Sequence, residues 1–343
     1  MSWWDAQSHA DRRPLLRQRG RLKAAIRAYF EAEGFTEVEC GVLVASPGNE
    51  THLHAFETSL TGADGQAERR LYLHTSPEFA AKKLLAAGET RIFDFARVFR
   101  NRDRSRLHAP EFTMLEWYRA HQDYDAVITD SLALLALAAD VMETQALRYR
   151  GAACDPRAAA DRLTVAEAFT HFAGIDLLAT LSPAGEGDAA ALRSRARRGG
   201  VDVSDEDDWS DMFSKILTLR VEPRLGLERP CVLYEYPACE AALARITPRD
   251  GRVAERFELY ACGVELANGF GELTDAVQQR ARFEAAMAEK ERRYGQRYPL
   301  DEDFLAALAQ MPPASGVALG FDRLVMLAAG APNINAVLWT PLS

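Results

Sequence analysis

The chain has 343 residues, 48% of them hydrophobic, and 41 Lys+Arg against 50 Asp+Glu give a formal net charge of -9. That composition belongs to a soluble globular protein with enough apolar content for a sizeable core, in one large domain or two small ones. It excludes a helical bilayer span, since no apolar run approaches the ~20 residues needed, and it argues against a broad nucleic-acid surface while leaving room for a local basic patch.

In chain order, residues 14–33 predict an amphipathic helix, with Leu15, Leu22, Ile26, Tyr29 and Phe30 apolar and Gly34 closing it. Alternation predicts strands at 35–39 (FTEVE) and 71–74 (LYLH). Ser76-Pro77-Glu78 then reads as a helix start: serine as N-cap, proline in the first turn and an acid at the positive end. That helix is expected to run to Gly88. Residues 91–100 and 111–119 predict an antiparallel strand pair across a charged loop. A helix is expected from Asp123 to about Tyr149. The segment 150–230 mixes Gly, Ala, Asp and Arg irregularly and reads as an insertion with two short helices, one opening on a Thr164/Glu167 capping box. Strands return at 232–237 and 255–270. A helix over 274–293 follows, then a glycine-flanked strand-turn-helix, SGVALGFDRLVMLAAG. The pattern predicts an α+β fold, an antiparallel sheet flanked by helices. The first twenty residues lack an apolar core, so no secretory signal is expected, and they leave no room for a separate N-terminal domain. The five cysteines form no CxxC pair and are expected as free thiols in a reducing cytoplasm, without a zinc site.

FRNRDRSRLHAPEFTMLEWY (99–118) gathers cations beside a carboxylate and aromatic rings. On a strand, Phe112, Met114, Glu116 and Tyr118 share one face, and Thr113, Leu115, Trp117 and Arg119 the other. The first face could stack a ring and bind an amine. Arg100 and the loop residues Asn101, Arg102, Arg104, Arg106 and His108 offer donors suited to phosphate. A solvated basic hairpin over core aromatics is the plainer alternative. Glu265 and Glu272 flank Asn268, as paired acids holding Mg²⁺ or a cationic substrate would, or as a polar turn would. Gly320, ahead of Arg323 in the first turn of a helix, could admit an anion close to the backbone. The same residues equally suit a tight turn whose arginine pairs with Asp322.

Taken in order over residues 15–330, these segments resemble the catalytic domain of a class II aminoacyl-tRNA synthetase. The 99–118 stretch resembles its second motif, GVALGFDRLVML its third, and the first helix with FTEVE its first, the usual dimer element. TSPE and GVELANGFGELTD resemble the lysyl branch. With VAERFE and SGVALG, and with no anticodon-binding OB-fold expected, the chain resembles the elongation factor P lysine ligases, lysyl-tRNA synthetase paralogues lacking that domain. The resemblance implies one catalytic domain over 1–343 with the 150–230 insertion. It implies ATP and Mg²⁺, activation of (R)-β-lysine or lysine as an adenylate, and transfer to a lysine side chain of elongation factor P. It also implies a cytoplasmic homodimer free of membrane, with tRNA charging disfavoured. A lysyl-tRNA synthetase-like enzyme charging tRNA or a small amine, and a non-catalytic amino-acid or ATP-binding regulator, are the alternatives.

Residue by residue, the resemblance implies that Arg100 meets the α-phosphate and that Asn101, Arg102 and His108 belong to the ATP loop. Phe112 would stack on adenine. Glu265, beside Leu266, would sit at the ATP and metal site, with Glu272 as a second metal carboxylate. Gly320 would be the close-approach glycine and Arg323 would meet the γ-phosphate. Arg100, Arg323 and Glu265 are thereby implied to be catalytic. Ser76, Pro77, Glu78, Glu116, Tyr118, Asn268 and Glu272 are implied to line the amino-acid pocket. Three positions depart from the family: Arg102 replaces a glutamate near adenine's amino group, Ala109 replaces an asparagine, and Gly41 replaces the first motif's proline.

Overall fold

The computed structural model describes residues 2–342. The elements are α1 (Ala6–Ala32), β1 (Thr36–Glu37), β2 (Leu43–Val44), β3 (Phe56–Thr61), β4 (Ala67–Leu73), α2 (Glu78–Ala86), β5 (Arg91–Phe99), β6 (Glu111–Ala120), α3 (Tyr124–Val141), β7 (Leu147–Tyr149), β8 (Ala152–Cys154), β9 (Asp161–Thr164), α4 (Val165–Ala173), α5 (Ala189–Arg198), α6 (Trp209–Ile216), β10 (Cys231–Pro237), β11 (Val253–Ala261), β12 (Val264–Gly271), α7 (Ala276–Tyr294), α8 (Glu302–Leu308), β13 (Ala314–Gly320) and α9 (Phe321–Ala328). Two compact units result: residues up to Gln122 with those from Thr274 onward, and Asp123–Leu273. Among the described residues no helix is long and apolar enough to cross a membrane.

In the first unit, strands run in the order β1-β5-β6-β13. β1 is parallel to β5; β5–β6 and β6–β13 are antiparallel. The expected strand pair is present, with Phe99 opposite Glu111 and Asp94 opposite Glu116. α1 starts eight residues before the predicted Pro14. The Asp5 carboxylate accepts the amides of Gln7 and Ser8, which founds the helix earlier. Pro14 is tolerated inside because both it and Ala10, whose carbonyl loses its partner, are exposed to water. The buried stripe of α1 is Leu16, Arg19, Leu22, Ile26 and Phe30. Phe30 stacks on Phe93 at 4.8 Å and lies 5.4 Å from Trp117, so α1 covers the Thr113/Trp117 face of β6. β2, β4 and β3 form a small separate sheet. α2 begins at Glu78, directly after Pro77; the Ser76 hydroxyl accepts the Glu78 amide, as the predicted cap would, while donating to Glu116. Phe79 of α2 stacks on Phe304 of α8 at 4.1 Å.

In the second unit the order is β12-β11-β10-β9, antiparallel except for the parallel β9–β10 pair. The predicted helix over 123–149 ends at Val141. Beyond it, β7 and β8 make a hairpin whose turn residues, Arg150 and Gly151, both have positive φ (45° and 87°), the twist a two-residue hairpin requires. The 150–230 segment supplies the sheet strand β9 as well as helices: α4, α5 and α6 stand where two were expected. The Thr164/Glu167 capping box on α4 is formed as predicted. These helices share a core in which Phe213 stacks on Phe169 and Trp209, at 5.2 and 5.3 Å. All five cysteines are free thiols.

Candidate active site

The β5–β6 loop is held at both ends. The Arg100 amide donates to Pro110 O at 2.9 Å, and the Asn101 amide to His54 O at 2.7 Å. Asn101 Oδ1 accepts the Arg102 amide, stabilising the left-handed φ of 64° at Arg102. Further along, His108 lies between Ser105 Oγ (2.6 Å from Nδ1) and Arg323 Nη2 (2.6 Å from Nε2), and Arg323 Nε donates to Leu107 O at 3.3 Å. Burial and the Arg323 charge hold the His108 pKa below its usual value, against the opposing pull of Asp103. The loop and the first turn of α9 are thus tied through one imidazole. Gly320 lies directly beside this arginine: a Cβ there would sit at ordinary contact distance, 3.4 Å, from the Arg323 side chain.

Phe112, at the head of β6, lies under the Arg100 guanidinium, 5.4 Å from ring centroid to Cζ. Arg102 takes a different course. It is exposed, and its guanidinium sits 5.9 Å over the Tyr294 ring at the end of α7. Ala109 is buried and lines a cavity of about 300 Å³ with Arg19, Arg97, Phe99 and Leu338.

On the Phe112 face of β6, Glu116 is almost fully buried. Tyr118 Oη donates to one carboxylate oxygen at 2.5 Å and Ser76 Oγ to the other at 2.8 Å. The Ser76 hydroxyl also accepts the Glu78 amide, and Glu78 takes a 2.6 Å bond from the buried ammonium of Lys82. Burial first, and then the Glu78 charge, push the Glu116 pKa up to about 8, although both hydroxyl bonds and Lys82 pull it down. A cation placed beside this carboxyl would favour its ionised form. Lys82 was not foreseen, yet its signal was readable: a lysine four residues after Glu78 on a helix.

In the second unit, Glu265, Asn268 and Glu272 lie on or beside β12. Strict alternation would put Glu265 and Glu272 on opposite faces. A bulge corrects this. Leu259 pairs with Ala267 but Tyr260 pairs with Glu265, so Leu266 is an extra residue. Glu265, Asn268 and Phe270 are then the partly exposed positions, while Val264, Leu266, Ala267, Gly269 and Gly271 are buried. Leu266 can therefore offer a ligand only its backbone. Asn268 Oδ1 is buried without a hydrogen-bond partner, as a ligand-facing carbonyl would be. Glu272 is buried just past the strand end.

Glu258, opposite Asn268 on β11, joins this group. Arg256 Nη2 and Tyr260 Oη donate to its two oxygens at 2.7 and 2.6 Å. Burial and then the Glu265 charge raise its pKa, against the pull of Arg256. Two mutually repelling carboxylates fit a divalent cation. Among the described residues no group of three or more His, Cys, Asp or Glu is arranged around a metal; two carboxylates are what Mg²⁺ takes when phosphates complete its shell. Spacing hid Glu258, because its nearness to Glu265 arises from strand pairing.

A family model for class II tRNA synthetases (D, K and N) matches residues 2–343. The chain is 42% identical over 330 residues to an elongation factor P–(R)-β-lysine ligase of Klebsiella pneumoniae subsp. pneumoniae, covering 95% of this chain and 94% of that protein. Ligases of the same description from Avibacterium paragallinarum and Haemophilus influenzae are 39% identical over 324 residues and 40% over 333, covering 94% and 97% of this chain and 94% and 96% of theirs. The chain belongs to the class II tRNA synthetase family (D, K and N), among its elongation factor P–(R)-β-lysine ligase relatives.

Proposed function

We propose that this chain is an ATP-dependent ligase that activates (R)-β-lysine, or lysine, as an adenylate and transfers it to a lysine side chain of elongation factor P. The names of its relatives support the acceptor and the substrate. The observation that carries the reading lies on one strand: Phe112 under Arg100, and Glu116 held by Ser76 and Tyr118. The two positions are about 13 Å apart at ~3.3 Å per residue. One face of β6 thus offers a ring-and-arginine end for a nucleotide and a carboxylate end for an amine.

In the first step the substrate carboxylate attacks the α-phosphorus and the bond to the leaving pyrophosphate breaks. Arg100 neutralises the α-phosphate and Arg323 the γ-phosphate end, with Asn101 and His108 shaping the loop. These residues work by positioning and charge compensation, and no enzyme nucleophile is required. Glu258 and Glu265 would hold Mg²⁺, which supplies further neutralisation of phosphate charge when bound. In the first unit Ser76, Glu78, Glu116 and Tyr118 would receive an ammonium group, and in the second Asn268 and Glu272 are suited to the same task. In the second step a deprotonated acceptor amine attacks the adenylate carbonyl, and AMP leaves with the bonding electrons. The catalytic domain would act in the cytoplasm as a homodimer.

Incubating elongation factor P with the chain, ATP and each lysine isomer should add one lysyl mass to a single lysine, and each isomer's rate identifies the preferred substrate. Efficient charging of tRNA with no mass shift on the factor would overturn the assignment in favour of a synthetase. Tight ATP and lysine binding without pyrophosphate exchange would instead point to a regulator.

A further inference from the structure

The apolar stripe of α1 carries one charged residue, Arg19, only 8% exposed. Its Nη1 lies 2.5 Å from Asp322 Oδ1, its Nη2 donates to Thr113 Oγ1 at 3.0 Å, and its Cζ sits 4.7 Å over the Phe321 ring. The other Asp322 oxygen accepts the Thr113 amide at 2.7 Å. Arg19, Thr113 and Asp322 therefore close a ring of contacts across α1, β6 and α9. Each partner of Arg19 is next in sequence to a residue assigned to the nucleotide: Thr113 follows Phe112, and Asp322 precedes Arg323.

We infer that Arg19 is a positioning residue for nucleotide binding, clamping the first turn of α9 to β6 so that Arg323 and Phe112 keep a set separation. The inference rests on the proposed roles of those two residues. A buried ion pair adds little net stability compared with apolar packing. What an arginine adds is a planar fork that reaches two partners at once, here a hydrogen bond to Thr113 and a charge contact with Asp322. A lysine at position 19 would keep the charge and lose that fork. The clamp touches none of the side chains assigned to the amino-acid substrate, so its effect should be confined to ATP.

The test uses the full chain with Arg19→Met, Arg19→Lys and the double variant Arg19→Met/Asp322→Asn. The readouts are thermal melting, ATP affinity by calorimetry, and lysine-dependent ATP–pyrophosphate exchange with KM for each substrate. A displaced Arg323 should weaken ATP binding about tenfold or more and lower kcat about 100-fold, the scale of a 1 Å misplacement, with lysine KM unchanged. Arg19→Lys should share the ATP defect. The double variant removes the unpaired buried carboxylate, so it should regain melting temperature while ATP binding stays weak. Wild-type behaviour in Arg19→Lys, recovery of ATP affinity in the double variant, or equal shifts for ATP and lysine would each overturn the clamp. A wild-type chain without exchange would overturn the ligase reading alone, because calorimetry still compares ATP affinities.

Discussion

Arg323 donates from Nη2 to Nε2 of His108 at 2.6 Å, which requires a lone pair on that nitrogen and places the ring proton on Nδ1, toward Ser105 Oγ. A protonated His108 would have no lone pair to offer and would repel Arg323. The folded pKa lies below 6.5, so this contact is intact above pH 6.5 and is lost as pH falls through the lowered value. Hydrogen exchange of the 101–110 amides should accelerate on acidification in the wild type. In His108→Ala it should be fast throughout, once corrected for intrinsic rates. A loop equally protected in both proteins would show that the imidazole does not tether it.

Glu116 leads to a second prediction. With its pKa pushed up to about 8, it is mostly protonated at pH 6 and must lose that proton to pair with an ammonium. Lysine affinity should therefore rise from pH 6 to 8 and then level off, with proton release seen by calorimetry in buffers of different ionisation enthalpy. Glu116→Gln should raise lysine KM by about 100-fold to several thousand-fold, since leaving a charge unpaired in a buried site costs ~3–5 kcal/mol. ATP affinity should hold.

The carboxylates of the second unit make separable predictions. If Glu258 and Glu265 hold Mg²⁺, Glu258→Gln should raise the Mg²⁺ concentration for half-maximal exchange about tenfold, the scale of second-shell or ligand loss at a metal site. If Glu272 faces the amine, Glu272→Gln should raise lysine KM and leave the Mg²⁺ requirement in place. The reverse pattern would return Glu272 to the metal and take Glu258 out of it.

Arg102 stands where the family keeps a glutamate, yet its guanidinium stacks on Tyr294. An exposed cation–π contact contributes only ~0.5–1 kcal/mol. Arg102→Ala should therefore leave ATP KM within about threefold. A loss of 30-fold or more would place this side chain on the nucleotide during turnover.

Much of this was legible in the residues. Alternation in EFTMLEWY foretold which side chains of β6 face which way, because strand geometry leaves two choices. The Thr164 capping box was read from two residues three apart. The misreadings share a cause: local signals overruled by neighbours. Ser76 accepts the Glu78 amide as a cap does, but local spacing gave no sign that its hydroxyl also donates to Glu116, forty residues away. The helix predicted to Tyr149 stopped because 147–154 could close a hairpin.

The sequence by itself determined the motif order, the strand-loop-strand and the helix carrying Arg323, since periodicity and turn chemistry are local. Tertiary structure alone decided which carboxylates become neighbours. A bulge at Leu266 brings Glu265 to the side of Asn268, strand pairing sets Glu258 beside it, and packing of α1 on the sheet brings Arg19 to Asp322. Those pairings join residues 3 to 303 positions apart. Register and burial, which no local spacing encodes, set both their distances and their protonation.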